Sequence, residues 1–188
     1  MARLAATAPE QYEPYFGPDA PLNLRIYAHQ PELASKLSSF ASAALFEGTP
    51  LPPRLVELVR LRIAFHNQCR SCMAIRYSPA TEDGVDEDLV CSLERPHEAD
   101  DLSDAERAAL DYADLFATNH LAIDDATYDG LREHFSESEI VALGLVCGLC
   151  VGFGRLESTW DMVDELPERF RDRGVTITPW GAGDLVRI

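Results

Sequence analysis

The chain has 188 residues, 46% of them hydrophobic, enough apolar side chain for one packed domain. Its 32 acidic against 16 basic residues give a formal charge of -16, which repels phosphate backbones and anionic headgroups and argues against nucleic-acid and membrane-surface partners. Five cysteines, an odd number, speak against a disulfide scaffold and for thiols kept reduced.

The first twenty residues carry Pro9, Pro14 and Pro18 without sustained periodicity, and read as an arm over the surface or over a neighbouring subunit. Met1 to Pro9 holds too few apolar residues for a secretory signal, so a cytoplasmic protein is expected. From Pro31 to Phe46, Leu33, Leu37, Phe40, Ala41 and Ala44 recur at helical spacing, and Gly48-Thr49-Pro50 ends the run. Pro52-Pro53 suits the first turn of a helix continuing through Leu55, Leu58, Val59 and Ile63 to about Phe65. A break at His66-Asn67-Gln68 precedes a new helix from about Cys69 to Tyr77, stopped before Pro79.

Downstream, Ser103 with Glu106 and Ser136 with Glu139 have the Ser-x-x-Glu form of a capping box, and each opens a long helix. The first runs to about Thr118; a shorter helix from Asp125 to His134 follows; the second is nearly all apolar to Phe153 and must be central. Its longest apolar run, Ile140 to Phe153, falls short of the roughly 20 residues that cross a bilayer, so no membrane span is expected. Strand-like alternation appears only at Val175-Thr176-Ile177. The reading is all-α, with an arm at residues 1–20, a helical domain at 21–165 and a C-terminal extension at 166–188.

The chemistry concentrates in Asn67-Gln68-Cys69-Arg70-Ser71-Cys72. Cysteines three apart at a helix start share a face and can form a local disulfide. Unpaired amides there, with Arg70 and Arg76 nearby, would lower a thiol pKa. Alone, a Cys-x-x-Cys fits a redox pair, half a zinc site or two core thiols. A second pair, Cys147 and Cys150, could complete a tetrathiolate site, but its apolar, glycine-rich surroundings favour small core thiols, and Cys91 reads the same way. Glu57, with Arg54 and Arg60 each three residues away, reads as a surface ion pair from spacing alone. His97, His120 and His134 lack metal-ligand spacing, and Gly152-Phe153-Gly154 follows an apolar helix and no strand, which argues against a dinucleotide loop. Trp160 and Trp180 read as covers of core or subunit surfaces.

Together with Pro52-Pro53-Arg54-Leu55-Val56-Glu57-Leu58-Val59 and the helix ending Gly152-Phe153-Gly154-Arg155-Leu156, this motif resembles the carboxymuconolactone decarboxylase and alkyl hydroperoxidase D (AhpD-like) superfamily over about residues 20 to 165. The resemblance implies an all-α, AhpD-like orthogonal helical bundle assembled as a dimer, trimer or hexamer. The family's redox members place a Glu twelve residues before the first cysteine and a His four residues after the second. Carried over, Cys72 is the peroxidatic thiol, Cys69 the resolving thiol and Glu57 the base ending a proton relay. The implied activity is a thiol peroxidase or disulfide oxidoreductase that reduces hydroperoxides and is recycled by a dithiol or thiol-protein donor. No bound cofactor or metal is implied, because the cysteines carry the electrons.

The sequence departs from the pattern at the relay, where Arg76 stands in place of the His. An Arg cannot shuttle protons near neutral pH, although it can stabilise a thiolate or hold a carboxylate. His66, three residues before Cys69, is a candidate substitute, weighed against an ordinary capping or partly exposed histidine. Two further classes fit the residues. One is a lyase like the lactone-processing branch of the family, which does not need the thiol pair; the other is a non-catalytic zinc-binding or redox-sensing scaffold.

Overall fold

The computed structural model describes residues 1–181 and 183–188. Ten α-helices and two very short strands are formed by the described residues: α1 Pro9–Phe16, α2 Leu22–Tyr27, α3 Pro31–Ser42, α4 Pro53–Asn67, α5 Arg70–Ala74, β1 Ile75–Arg76, α6 Ser78–Glu82, α7 Glu87–Ser92, α8 Asp104–Thr118, α9 Asp125–Arg132, α10 Glu137–Trp160 and β2 Val186–Arg187. The chain is all-α, as the sequence indicates. A π-helical turn, Ala43–Glu47, extends α3.

The core forms around α4, which α8 and α10 flank. Proline at its first turn presets the helical φ. Leu58, Val59, Leu61 and Ile63 are fully buried, and they meet Leu110 and Ala113 of α8 and Leu143, Val146 and Cys147 of α10. Each such large apolar side chain contributes about 1.5–3 kcal/mol. Because α4 is covered nearly all round, Glu57 and Arg60 are buried with it.

The capping boxes at Ser103 with Glu106 and Ser136 with Glu139 form as read, and Asp124 with Thr127 adds a third at the start of α9. Other elements depart from the sequence reading. The N-terminal segment forms α1 instead of a bare arm, burying Tyr12 against Ala20 and Ala28. Helix α10 continues seven residues past Phe153, and at 24 residues it is long and apolar enough to cross a membrane. Its inward side packs in the core, while Val141 and Leu145 face outward.

The helix begun after Cys69 also stops early, at Ala74, because Ile75 and Arg76 pair in parallel with Val186 and Arg187. The strand-like alternation at Val175-Thr176-Ile177 forms no strand, and that segment serves as a tie instead. The Gln68 side-chain amide donates to the Ile177 carbonyl at 3.1 Å and its oxygen accepts from the Ile177 N–H at 3.0 Å. Gln68 needs this anchoring because it ends α4 in the left-handed region, φ 51°, which a non-glycine residue adopts only under constraint. Arg70 donates to the carbonyls of Phe170, Asp172 and Val175, and Arg76 reaches Pro179 at 2.6 Å. The C-terminal residues therefore wrap the cysteine segment, with buried Phe170 packed on Met73 and Ala74 and the Trp180 ring tilted against Phe65 at 4.9 Å between centres.

Candidate active site

Cys69 is the N-cap residue of α5 and Cys72 lies inside it; they are joined as a disulfide with Cα atoms 5.2 Å apart. Cys69 is fully buried behind the helix start, whereas Cys72 is half-buried and faces a cavity of about 330 Å³. Such a volume suits a small organic molecule. Leu24, Leu37, Leu45, Leu149, Phe153 and Met162 supply its apolar walls, from α2, α3, the π-turn, α10 and the segment beyond. Its polar lining includes Asn23, Tyr27, Arg60, Ser71, Tyr77 and Glu157.

Glu57 and Arg60 form a buried ion pair one turn apart on α4, Nε to Oε2 and Nη2 to Oε1, each 2.7 Å. The same guanidinium donates to the carbonyls of Cys72 at 2.6 Å and Ile75 at 2.9 Å, which the end of α5 leaves without helical partners. Burial works against the charge of Arg60, but the Glu57 carboxylate outweighs it and holds its pKa above the ordinary value. The guanidinium also lies 4.6 Å from the Tyr77 ring centre. Glu57 thus connects to Cys72 through Arg60 and the backbone, in a buried site where spacing alone favours an exposed pair.

Two site expectations require correction. Arg76 does not share the face of the cysteines, because the chain turns from helix to strand at Ile75. It is buried, pairs with Glu87 at 2.8 and 3.0 Å, and donates to the carbonyls of Met73, Ile75 and Pro179. Its charge is spent on fastening the C-terminal residues, and Arg70 is spent likewise, so neither is available to the thiols. The five-residue α5 also aligns few peptide dipoles, which weakens that part of the argument for a lowered thiol pKa. His66 does not line the cavity either. Helix α4 runs unbroken to Asn67 and turns His66 toward α8, where Nε2 lies 2.6 Å from Asp114 Oδ1, beside the Arg62–Asp114 pair.

Sequence reasoning missed Glu157. The Sγ atoms of Cys69 and Cys72 and a Glu157 carboxylate oxygen all lie within 4.8 Å of one another, and Oε2 is 4.0 Å from Cys72 Sγ. Asn23 donates to Oε1 at 3.2 Å. Burial raises the Glu157 pKa, and the Asn23, Tyr27 and Ser71 donors offset only part of that rise. The buried Tyr27 hydroxyl makes no hydrogen bond of normal geometry among the described residues; burial, then the nearby Glu157 carboxylate, push its pKa up. A carboxylate downstream of Phe153 was the only sequence signal, and reading the helix as ending there hid it.

The second cysteine pair stays apart from the first. Cys147 is in the core, and Cys150 lines the cavity with its thiol pushed up to about 12 by burial, in spite of Arg60. Among the described residues the four sulfurs do not converge on a tetrathiolate site. Cys91 is exposed, contrary to its reading as a structural thiol.

Helical architecture and a dithiol at its cavity define an AhpD-like bundle. Residues 31–115, from α3 into α8, match the model of the carboxymuconolactone decarboxylase family. An uncharacterized protein of Mycobacterium tuberculosis is 38% identical over 112 residues, 54% of this chain but only 39% of that protein's length. The uncharacterized protein YnjA of Escherichia coli is 27% identical over 139 residues, covering 74% and 76% of the two chains. The crystal structure of an uncharacterized peroxidase-related protein from a Silicibacter species superposes with a TM-score of 0.72 at 19% identity, over 89% of this chain and 90% of that one. An AhpD core from Ralstonia eutropha, also peroxidase-related, gives 0.66 at 18% identity over 79% and 78%. The fold is that of these AhpD-like structures, and the match to the carboxymuconolactone decarboxylase family is confined to residues 31–115.

Proposed function

We propose that this protein is a thiol peroxidase or disulfide oxidoreductase that reduces hydroperoxides through Cys72 and Cys69. The observation that carries the reading is the division of labour within the disulfide: Cys72 faces the cavity and Cys69 is sealed behind it. In the reduced protein the Cys72 thiolate attacks the outer oxygen of a hydroperoxide, the O–O bond breaks, and an alcohol leaves. The resulting sulfenic acid is attacked by the Cys69 thiol, releasing water and forming the disulfide. A dithiol donor then returns two electrons and two protons by exchange at Cys72, the sulfur within reach. The cysteines carry the electrons, so the cycle uses no bound cofactor.

The similarity to peroxidase-related proteins supports this reading at the level of fold. Steady-state turnover of an organic hydroperoxide with dithiothreitol as donor tests it. Turnover that disappears in both Cys69→Ser and Cys72→Ser supports the cycle; turnover that survives both would overturn it.

A further inference from the structure

The dithiol cycle needs a group that takes the thiol proton and returns it to the departing alkoxide. The relay implied by family resemblance is broken here: Arg76 faces the C-terminal residues, His66 faces Asp114, and Glu57 is held by both edges of Arg60. Glu157 is differently placed. Its carboxylate oxygen lies 4.0 Å from Cys72 Sγ, inside the cavity, on a helix distant in sequence from the cysteines.

We infer that Glu157 is the catalytic acid and base for Cys72, an assignment that rests on Cys72 being the attacking thiol. The Glu157 carboxylate accepts the Cys72 thiol proton. As the thiolate takes the terminal OH of the hydroperoxide, the O–O bond breaks and the carboxyl passes its proton to the leaving alkoxide. The sum is thiol plus hydroperoxide to sulfenic acid plus alcohol, with Glu157 returned to its starting form.

Its surroundings suit that task. Asn23 and Tyr27 of α2 and Ser71 of α5 face the carboxylate, and the cavity's remaining titratable groups are Arg60 of α4, Tyr77 after β1, Cys150 of α10 and Glu165 beyond it. Glu165 is engaged by Arg25, and Arg60 is neutralised by Glu57. Among the described residues lining the cavity no other cation fixes Glu157 as a permanent anion, and its raised pKa places it closer to the range in which a carboxyl both gives and takes protons. The buried Tyr27 hydroxyl lines the cavity at the same point, beside the Glu157 carboxylate.

The test uses the reduced protein and reads two quantities, the pH profile of Cys72 alkylation by iodoacetamide, resolved by peptide mass, and the rate of oxidation by a hydroperoxide. In Glu157→Gln the negative charge beside the sulfur is gone, so the alkylation profile is expected to move about one unit to lower pH. Peroxide oxidation is expected to fall about 100-fold despite the easier ionisation, because the proton carrier is lost. Glu157→Asp recovers part of that rate. Opposed movement of the two readouts separates acid–base chemistry from damage to the fold, which would depress both.

An unmoved alkylation profile in Glu157→Gln would overturn the inference whatever the peroxide result. If that variant does not fold, Asn23→Ala replaces it: losing this donor raises the Glu157 pKa further and shifts the lower inflection of the alkylation profile upward, and no shift is again contrary. Wild-type protein that alkylates with the Glu157-dependent profile but is oxidised by no hydroperoxide would sink the peroxidase reading alone.

Discussion

Arg60 donates at 2.6 Å to the carbonyl of Cys72, tying the backbone of that cysteine to a buried charge on the central helix. The position of α5, and with it the Cys72 sulfur, therefore depends on the Arg60–Glu57 pair. Removing one partner strands the other charge in the core. Arg60→Met or Glu57→Gln is expected to cost about 3–5 kcal/mol, read from urea denaturation, while Arg60→Met with Glu57→Leu costs much less. Equal losses in single and double variants would show that the pair is not the coupled unit described.

Arg76 stands at the sequence position of a relay histidine but does structural work. Arg76→His abandons the carbonyl of Pro179 and leaves Glu87 without its guanidinium. The expected outcome is a loss of about 2–3 kcal/mol, with faster hydrogen exchange around residues 177–181 and no faster oxidation of the cysteine pair. Acceleration by His would return position 76 to the proton pathway.

Legibility in the sequence followed distance along the chain. Caps such as Ser103 with Glu106 and Ser136 with Glu139 are local, so both helix starts were readable. The Cys69–Cys72 pair is local too. Arg76 could not be placed, because its partners lie more than a hundred residues away: Pro179 accepts from its guanidinium, and Val186 and Arg187 pair with β1 and end α5 early. Glu157 was hidden for a related reason: apolar periodicity locates the core face of α10 but does not show which helix end turns toward a cavity built by α2, α3 and α5. Glu57 was misjudged from spacing alone because charge pairs three residues apart usually face solvent, whereas α4 is enclosed nearly all round.

The Asp114 carboxyl sets an acid limit. Burial pushes its pKa up, but hydrogen bonds from His66 and Arg62 prevail and hold it below the ordinary 3.8. A carboxyl lowered in the folded state contributes stability that is complete above its ordinary pKa and lost as pH falls through the lower folded value. Glu106 adds in the same sense: burial raises its pKa, but Arg54 and Ser103 outweigh that and lower it. Denaturation curves recorded below about pH 4 are expected to fall more steeply for wild type than for Asp114→Asn, and identical slopes would remove Asp114 from the account. His66→Ala, distant from the cavity, is expected to leave cysteine oxidation unchanged.

Gly154 marks the close approach of α10 to the end of α4. A Cβ there would come within 2.6 Å of Asn67 Nδ2, which donates to the Cys150 carbonyl at 2.9 Å. Gly154→Ala gains about 1 kcal/mol of helix propensity, but displacing Asn67 costs about 1–3 kcal/mol. A net loss of stability is expected in thermal denaturation, with Asn67→Ala relieving the clash; a stabilised Gly154→Ala protein would contradict this packing.

The central claim is that Cys69 and Cys72 are a working dithiol with Cys72 as the attacking sulfur. Stoichiometric hydroperoxide added to the reduced protein, followed by intact mass, tests it most directly. The expected result is loss of two hydrogens from wild type within seconds to minutes, no such loss from Cys72→Ser, and a trapped sulfenic acid at Cys72 in Cys69→Ser. Wild-type protein that stays reduced, or a Cys72→Ser variant that is oxidised at the same rate, would contradict it.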